Sequence, residues 1–249
     1  MREAVNLTGM ILSVMPIGDF DKRLVILTKE RGKIVAFAKG ARRQNSALLA
    51  ATNPFVFGEL KLYEGRNSYN LLQAHVTNYF IDLRVDYEAA CYGMYFLEFA
   101  EYYTQENNDE AEMLKLLYAS LKALNNPYLD HNLVRYIFEL KALVINGEYP
   151  DFFSCISCGK EERLGFFSVQ GVGTVCEECY SSVSDARKIG TSTLYTLQYI
   201  VSSPTSKLYT FTVSEEVLRE LKEIIQQYMK RFVQKGFKSL KVLNEMNSI

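Results

Sequence analysis

Four cysteines in two closely spaced pairs are the residues most clearly arranged for chemistry. Cys155 and Cys158 form one C-x2-C pair, Cys176 and Cys179 form another, and 17 residues separate the pairs. Each pair can aim two thiolates at one point, and two pairs complete the tetrahedron that Zn²⁺ prefers. A site filled by four sulfurs has no open position for water or substrate. The spacing therefore predicts a structural zinc centre rather than a metalloenzyme.

Two disulfides, or four thiols with no joint role, are the alternatives to this metal site. The N-terminal residues lack the apolar segment of a signal peptide, which indicates the reducing cytoplasm, where cysteine quartets hold metal more often than disulfides. The fifth cysteine, Cys91, lies in an apolar segment and is expected to be a buried core thiol. No uncharged apolar run approaches the roughly 20 residues of a membrane span, so no membrane partner is expected.

The remaining residues give little support for catalysis. The two histidines, His75 and His131, lie in no recognisable dyad, and the sequence lacks the common nucleophile, zinc-protease, dinucleotide and phosphate-loop motifs. The chain is therefore not expected to be an enzyme. A zinc hydrolase or deaminase is an alternative, with Glu177 or Glu178 as the general base, but it needs the open metal position that four sulfurs deny.

A basic segment is the second group of residues with a chemical signature. Lys39, Gly40, Arg42 and Arg43 follow an apolar strand, which places three cations at one rim of the predicted barrel, where they can contact phosphates. Further candidates for the same face are Arg23, Lys33 and Arg66. Some aromatic residues are available for base stacking, although alternation along the strands buries most of them. They are Phe37, Phe55, Phe57, Tyr63 and Tyr69. A solvated charged loop explains the same residue types equally well.

Charge is distributed unevenly along a chain whose net charge is only −1. Residues 1–80 carry 11 Lys and Arg against 6 Asp and Glu, whereas residues 81–150 carry 5 against 12. This asymmetry indicates separate modules with separate partners and makes the first a candidate for binding a polyanion. A third basic group favours a helix-dipole or solvated-face interpretation over a second polyanion contact; it comprises Lys230, Arg231, Lys235, Lys238 and Lys241.

Five short strands in the first 80 residues predict a small closed barrel of the OB-fold type. They are expected at 5–15, 23–28, 33–38, 55–63 and 69–76, with a turn at 16–19 and a short helix within 41–51. From residue 81 the apolar period becomes helical. Helices are expected over about 92–103, after Asp109, from Asp130, over 192–201 and over 214–233, with Ser214 as an N-terminal cap.

Together these patterns predict an α+β multidomain protein. Residues 1–80 form an OB-fold domain that is a candidate for binding nucleic acid, and residues 81–249 form a helical domain. A four-cysteine zinc finger is inserted at about 152–181, with a β-hairpin at 164–175 leading from one cysteine pair to the other.

The residues also resemble the RecO family of bacterial recombination-repair mediators, over about residues 1–240. The N-terminal resemblance rests on Gly18–Asp21, Leu24–Thr28, Gly32-Lys33, Ala38–Arg43, Ser46, Pro54-Phe55 and Gly65-Arg66. The run Ala38-Lys39-Gly40-Ala41-Arg42-Arg43 is the specific part. The helical segment is similar through Leu83-Arg84, Tyr92-Gly93 and Leu97-Glu98, and the last third mainly through the cysteine quartet.

This resemblance implies an N-terminal OB-fold, a helical domain and a zinc finger, with no nucleotide hydrolysis. It implies binding of single- and double-stranded DNA and annealing of complementary strands. Implied partners are RecR, the C-terminal tail of single-stranded-DNA-binding protein and, indirectly, RecA. The protein would be cytoplasmic and associated with the nucleoid during repair.

DNA contact would fall on Lys39, Arg42 and Arg43, with Arg23, Lys33 and Arg66 beside them. The acidic helical segment suits protein partners better than DNA, and Arg135 with its apolar neighbours is a candidate for holding the tail. The residues themselves leave one alternative, an OB-fold and zinc-ribbon nucleic-acid-binding factor in transcription or translation.

Overall fold

The computed structural model describes residues 4–246 and begins with a closed five-stranded barrel. The strand order around the barrel is β1-β2-β3-β5-β4, and all neighbours are antiparallel except β3 and β5. This is the OB-type barrel expected from the sequence. Its strands are β1 (Ala4–Ile17), β2 (Asp21–Thr28), β3 (Gly32–Ala38), β4 (Phe57–Glu64) and β5 (Tyr69–Asn78).

Alternation along the strands decides which side chains fill the barrel. On β3 the residues Ile34, Ala36 and Ala38 are buried in its core, and on β2 Leu24 and Ile26 join them. Because successive side chains of a strand point to opposite faces, the odd-numbered residues of β2 and β3 lie on the outer face of the barrel, where Val25 and Leu27 are nevertheless buried. The long strand β1 pairs with β4 through its first half and with β2 through its second half, which closes the barrel.

Two local expectations in this region were wrong in detail. Strand β1 continues through Pro16 and Ile17, so the turn lies at residues 18–20, with Gly18 at a φ of 50°. The predicted helix over 41–51 shrinks to α1 (Leu48–Ala51). Residues 41–47 form turns and bends instead, with the N–H of Arg43 donating to the carbonyl of Gly40 at 3.1 Å and the N–H of Ser46 to that of Arg43 at 3.0 Å.

The helices follow the predicted periodicity, and their caps account for where they begin. Asp130 accepts hydrogen bonds from the N–H groups of Asn132 and Leu133, and Ser214 accepts from that of Val217. Asp109 accepts from Ala111, although Glu110 occupies the cap position itself. The helices are α2 (Ile81–Val85), α3 (Tyr87–Tyr103), α4 (Ala111–Leu124), α5 (His131–Ile145), α6 (Thr191–Ser202), α7 (Glu215–Phe232) and α8 (Lys238–Met246).

A small sheet between α5 and α6 carries the cysteine quartet. Its strands are β6 (Asp151–Cys155), β7 (Leu164–Ser168), β8 (Gly173–Cys176) and β9 (Arg187–Lys188), in the order β6-β8-β7-β9. Strands β7 and β8 are antiparallel, which confirms the predicted hairpin between the two cysteine pairs.

Backbone contacts divide the described chain into two compact units. One contains the barrel, α1–α4 and the C-terminal segment from Phe237, and the other contains residues 126–236. The C-terminal helix α8 returns to the first unit, where the carboxylate of Glu98 accepts from the N–H of Ser239 at 3.0 Å. The predicted domain boundary between residues 80 and 81 is not the boundary between these compact units. It divides the chain by expected function and stays a prediction. Within residues 4–246, no helix is long and apolar enough to cross a membrane.

Candidate nucleic-acid interface and metal centre

The basic segment after β3 is fastened to the turn between β1 and β2 by main-chain hydrogen bonds. The N–H of Gly40 donates to Asp21 Oδ1 at 2.7 Å, and the N–H of Arg42 donates to the carbonyl of Phe20 at 2.8 Å. The guanidinium of Arg42 donates in addition to the carbonyl of Gly18 at 3.1 Å. Residues 39–43, here called the basic loop, therefore form one body with the turn.

The basic loop presents its cations outward. The side chains of Lys39, Arg42 and Arg43 are exposed, whereas Ala41 between them is fully buried in the barrel core. Gly40 adopts a φ of 63°, a conformation that favours glycine, and this turns the chain so that Ala41 enters the core. The geometry brings together the three cations that the sequence singled out.

Arg23 and Arg66 occupy different positions relative to this loop. Arg23 lies on the outer face of β2 directly opposite Phe37 of β3, at the end of the ladder where Lys22 faces Ala38. It therefore shares an end of the barrel with the basic loop. Arg66 is exposed in the turn between β4 and β5; since Tyr69 pairs with Ala36 in parallel, that turn lies toward the start of β3.

Lys33 does not belong to the basic surface, contrary to expectation. It begins β3, at the opposite end from Lys39, and its ammonium donates to the main-chain carbonyl of Glu101 at 2.5 Å. Its backbone N–H donates to the carbonyl of Gln105 at 2.9 Å. Lys33 thus caps the C-terminal end of α3, where partial negative charge accumulates.

Lys22 supports the segment that follows the basic loop, and no feature of its sequence context singles it out. Its ammonium enters the barrel mouth and donates to the carbonyl of Thr52 at 2.8 Å, to Thr52 Oγ1 at 3.0 Å and to Asn53 Oδ1 at 3.2 Å. Burial, followed by repulsion from Arg42 and Arg84, lowers the pKa of Lys22 below its usual value. A lysine within an apolar strand gives no sign of such remote acceptors.

Phe20 was also missed, and it is the aromatic residue closest to the basic loop. Its side chain is 49% exposed, and the guanidinium carbon of Arg43 lies 5.2 Å from the centre of its ring. Among the aromatics considered from sequence, Phe55 and Tyr69 are buried, and Phe57 packs on Tyr118 with ring centres 4.8 Å apart. Tyr63 is exposed and Phe37 is half-buried.

The four cysteines meet at one point, as the spacing predicted. Their sulfurs all lie within 4.8 Å of one another, and those of Cys158 and Cys176 are 3.8 Å apart. Zinc with Zn–S bonds of about 2.3 Å separates two sulfurs of a tetrahedron by about 3.8 Å. All five cysteines of the described chain are unbridged, which argues against the disulfide alternative. The cluster can hold a metal ion, and its donor set and spacing fit zinc.

Local hydrogen bonds prepare part of the quartet for a cation. Burial opposes ionisation of Cys155, but the backbone N–H groups of Cys176, Ser157 and Cys158 donate to its sulfur and lower its pKa to about 6. The neighbouring sulfurs of Cys158 and Cys176 raise the pKa of Cys179 to about 12. The first thiolate forms readily, whereas four together require a positive charge among them.

Polar contacts join the small sheet to helices of the same unit. The amide of Gln198 on α6 donates to the carbonyl of Phe152 at 2.8 Å. On α7, Arg231 donates to the carbonyls of Val169 and Gln170 at 2.7 and 2.6 Å. A metal ion held by the quartet would brace a sheet that α6 and α7 contact.

The third basic group divides between two helices. Lys230 and Arg231 lie in the last turn of α7, where the helix-dipole interpretation applies. Lys238 opens α8 instead, so the dipole interpretation is wrong for that residue. This group therefore does not form one cationic helix end.

Three further expectations are settled by position. Arg135 is buried and forms an ion pair with Glu139 at 2.8 Å, so it is not a surface residue for a partner's tail. Cys91 is half-buried rather than buried. His75 is exposed on β5, and His131 is the first residue of α5.

Comparisons with known proteins agree with this architecture. The family model described as Recombination protein O N terminal matches residues 1–80, and the model described as Recombination protein O C terminal matches residues 84–241. Three similar relatives are each named DNA repair protein RecO. The one from Acetivibrio thermocellus is 32% identical over 243 residues, which cover 97% of each chain.

The relative from Alkaliphilus metalliredigens is 30% identical over 97% of this chain and 99% of its own. The relative from Bacillus subtilis is 27% identical over 97% of this chain and 94% of its own. Matches of this extent span the barrel, the helices and the cysteine quartet together. The chain therefore belongs to the RecO family of DNA repair proteins.

Proposed function

We propose that the chain acts as a non-enzymatic mediator of recombinational DNA repair. It binds single- and double-stranded DNA, anneals complementary strands and, with RecR, helps to load RecA onto DNA coated by single-stranded-DNA-binding protein. It works in the cytoplasm and associates with the nucleoid during repair. Family membership supports the repair role, and the resemblance of the sequence supports these partners.

The basic loop is the observation that carries the proposed DNA contact. Its three exposed cations, Lys39, Arg42 and Arg43, are joined to the β1–β2 turn, so little conformational freedom is lost when they meet phosphates. Two carboxylates share that turn. Asp21 already accepts a hydrogen bond from Gly40, and the exposed Asp19 does not balance three cations.

Position on the barrel favours the same surface. OB-folds bind oligonucleotides on the face of strands 2 and 3 and on the loops that follow strands 1 and 4. Here those elements carry Arg23 on β2, Phe20 in the β1–β2 turn and Arg66 in the β4–β5 turn. Arg23 and the basic loop then form the proposed DNA-binding surface, and Lys33 is excluded from it. Arg66 lies toward the other end of β3 and is proposed as a separate phosphate contact.

Annealing follows from holding two strands without consuming them. Cations that neutralise phosphates lower the repulsion between complementary strands and release counterions. Two strands on one surface also have a raised effective concentration for pairing. Neither step requires a nucleophile or a general base.

The cysteine quartet serves the protein as a structural Zn²⁺ site in this proposal. The residues that hold the ion are Cys155, Cys158, Cys176 and Cys179. Zinc bound by four thiolates supplies folding energy rather than a reactive water. Its role is to fix the small sheet that α6 and α7 contact.

The test is a salt titration of DNA binding with a double variant, Lys39→Gln with Arg43→Gln. Arg42 is left in place because it tethers the turn. Loss of two phosphate contacts should reduce the slope of log affinity against log salt on a single strand by about 1.4. The matched control is Lys29→Gln with Lys61→Gln, which removes two exposed lysines elsewhere on the barrel. An unchanged slope in the first variant, with binding as in the control, would contradict the proposal.

A further inference from the structure

An exposed apolar group lies beside the basic loop on the outer surface of the barrel. Met15 and Ile17 at the end of β1 are 54% and 38% exposed, and Phe20 in the following turn is 49% exposed. Three such side chains so close together in the chain are unusual on a surface with no partner. The described contacts do not cover them, although three exposed cations adjoin them.

Strand register extends this group into a row across the barrel. Met15 of β1 is opposite Arg23 of β2, Arg23 is opposite Phe37 of β3, and Phe37 is opposite Asn70 of β5. Residues directly opposite each other share a face, with Cβ atoms about 4.5–5.5 Å apart. A continuous row therefore alternates apolar, cationic, aromatic and amide side chains perpendicular to the strands.

Phe20 lies in the turn between β1 and β2, and contacts with the basic loop hold it in place. The carbonyl of its own residue accepts from Arg42, the carbonyl of Gly18 accepts from the Arg42 guanidinium, and Arg43 lies over its ring. A cation over an aromatic face is attracted to the ring and orients it. The Arg43 guanidinium covers one face of the ring, and the 49% exposure of Phe20 leaves the remainder of its side chain accessible to a base.

We propose that Phe20 stacks on an unpaired base while Arg43 contacts the adjoining phosphate, so that this surface prefers single-stranded DNA to duplex. The inference rests on the proposed DNA-binding role and assigns the chemistry that sets its strand preference. Single-strand binders combine a cationic groove with aromatic platforms, because every base has a face that can stack. The bases of a duplex are stacked on one another and offer no face to Phe20.

Charge identifies this occupant rather than an apolar protein segment. Lys39, Arg42 and Arg43 of the basic loop are exposed beside Phe20, and Arg23 interrupts the row itself. Asp19 is the one exposed carboxylate in the described turn, so the cations are in excess there. An apolar partner would leave these cations without counter-charges, whereas a nucleotide brings a base and a phosphate together. Apolar and cationic surface are therefore both used by a single ligand.

The first experiment compares Phe20→Ala with the unaltered protein on three probes of equal length. The probes are a single strand of thymidines, an abasic single strand and a duplex. Loss of one stacked base should weaken binding of the thymidine strand by about 5- to 150-fold and spare the other two. Equal losses on all three probes, or no loss on any, would overturn the assignment. A thermal melt confirms that the exposed substitution leaves the fold intact.

The second experiment uses a fluorescent reporter, since the chain contains no tryptophan. In Phe20→Trp, saturation with the thymidine strand should quench the tryptophan, and the abasic strand should not. The matched control is Phe153→Trp on β6, where the native side chain is 41% exposed; its emission should stay constant. Absence of quenching at position 20, or equal quenching at both positions, would refute stacking on Phe20.

The two proposals fail separately. If Lys39→Gln with Arg43→Gln weakens binding to all three probes while Phe20→Ala spares the thymidine strand, the basic surface stands and the stacking role falls. If the double variant binds every probe as the unaltered protein does, the DNA-binding role of the basic loop falls, whatever Phe20 does.

Discussion

At the scale of one residue, Lys22 shows how the barrel supports the segment that follows the basic loop. Its ammonium bonds to Thr52 and Asn53, which follow α1, and so holds the segment after the basic loop to the barrel mouth. The acceptors are carbonyl, hydroxyl and amide oxygens rather than carboxylates. The ammonium is therefore retained by hydrogen bonds alone, against burial and two neighbouring arginines.

Substituting Lys22→Met should destabilise the barrel. The apolar stem is conserved in length, but the acceptors on Thr52 and Asn53 lose their donor, a loss of about 1–3 kcal/mol in the free energy of unfolding. Urea denaturation at neutral pH measures it. An unchanged midpoint would contradict the role assigned to Lys22.

The same residue predicts a pH dependence at alkaline pH. Because the pKa of Lys22 is lowered in the folded state, the unfolded chain binds more protons above that pKa. Stability should therefore gain a contribution as pH rises through the lowered pKa toward the ordinary value of 10.5. Lys22→Met should lack this gain, which comparison of urea midpoints across the alkaline range tests.

Single residues also show how much the sequence could predict. The cysteine quartet could be predicted because each C-x2-C pair is local and the spacing is typical of zinc sites. Lys39, Arg42 and Arg43 could be selected from the sequence because they lie close together, within residues 39–43. The role of Lys33 could not be predicted, because its acceptor on Glu101 lies 68 residues away. Phe20 was missed because turn position and exposure, rather than alternation along a strand, decide its availability.

At the scale of elements, Gly32 joins the barrel to the connection between α3 and α4. Its φ is 63°, and a Cβ there would overlap the carbonyl oxygen of Gln105 and lie 2.9 Å from that of Asn108. Main-chain hydrogen bonds flank it, from Lys33 to Gln105 and from Asn107 to Arg31. The close approach of two backbones therefore requires glycine at this position.

Gly32→Ala should destabilise the first unit by about 2–5 kcal/mol, the sum of a left-handed backbone cost and an overpacking cost. Gly18→Ala is the matched control, since Gly18 has a φ of 50° and open space around it. It should lose only the backbone cost, about 1 kcal/mol. If chemical denaturation showed the same loss in free energy of unfolding for both variants, the close approach of the two backbones at Gly32 would contribute nothing to stability.

The cysteine-bearing sheet is the element that the proposed zinc ion would stabilise. Strand β9 has two residues, and the apolar cluster around Cys155, Val175 and Cys176 is small. A sheet of this size buries too little apolar surface to be stable alone. We therefore expect metal binding to supply much of the free energy that orders it.

Cys176→Ser should abolish stoichiometric zinc binding and loosen β7 and β8, as measured by metal analysis and amide hydrogen exchange. Cys91→Ser, which changes the cysteine outside the quartet, should retain zinc. Acidification should release the metal from the unaltered protein, because protons compete for the thiolates. Full zinc content in Cys176→Ser would rule out the four-sulfur site.

At the scale of the whole molecule, local pattern predicted the barrel, the helices and the hairpin, but not how they group. The C-terminal segment returns to the first unit through Phe237, whose buried ring lies 5.6 Å from that of Tyr95. Glu98 adds a hydrogen bond, since its carboxylate accepts from Ser239 across 141 residues of sequence. Helical periodicity marks an apolar face without naming the surface that it meets. Compact units are therefore decided by long-range contacts that a single sequence does not display.

We propose that strand annealing depends on the cations of the basic loop. The most direct test of this proposal is the annealing rate of complementary oligonucleotides coated with the matching single-stranded-DNA-binding protein. Lys39→Gln with Arg43→Gln should slow annealing several-fold, whereas Lys29→Gln with Lys61→Gln should anneal as the unaltered protein does. Equal rates for all three proteins would contradict the proposal.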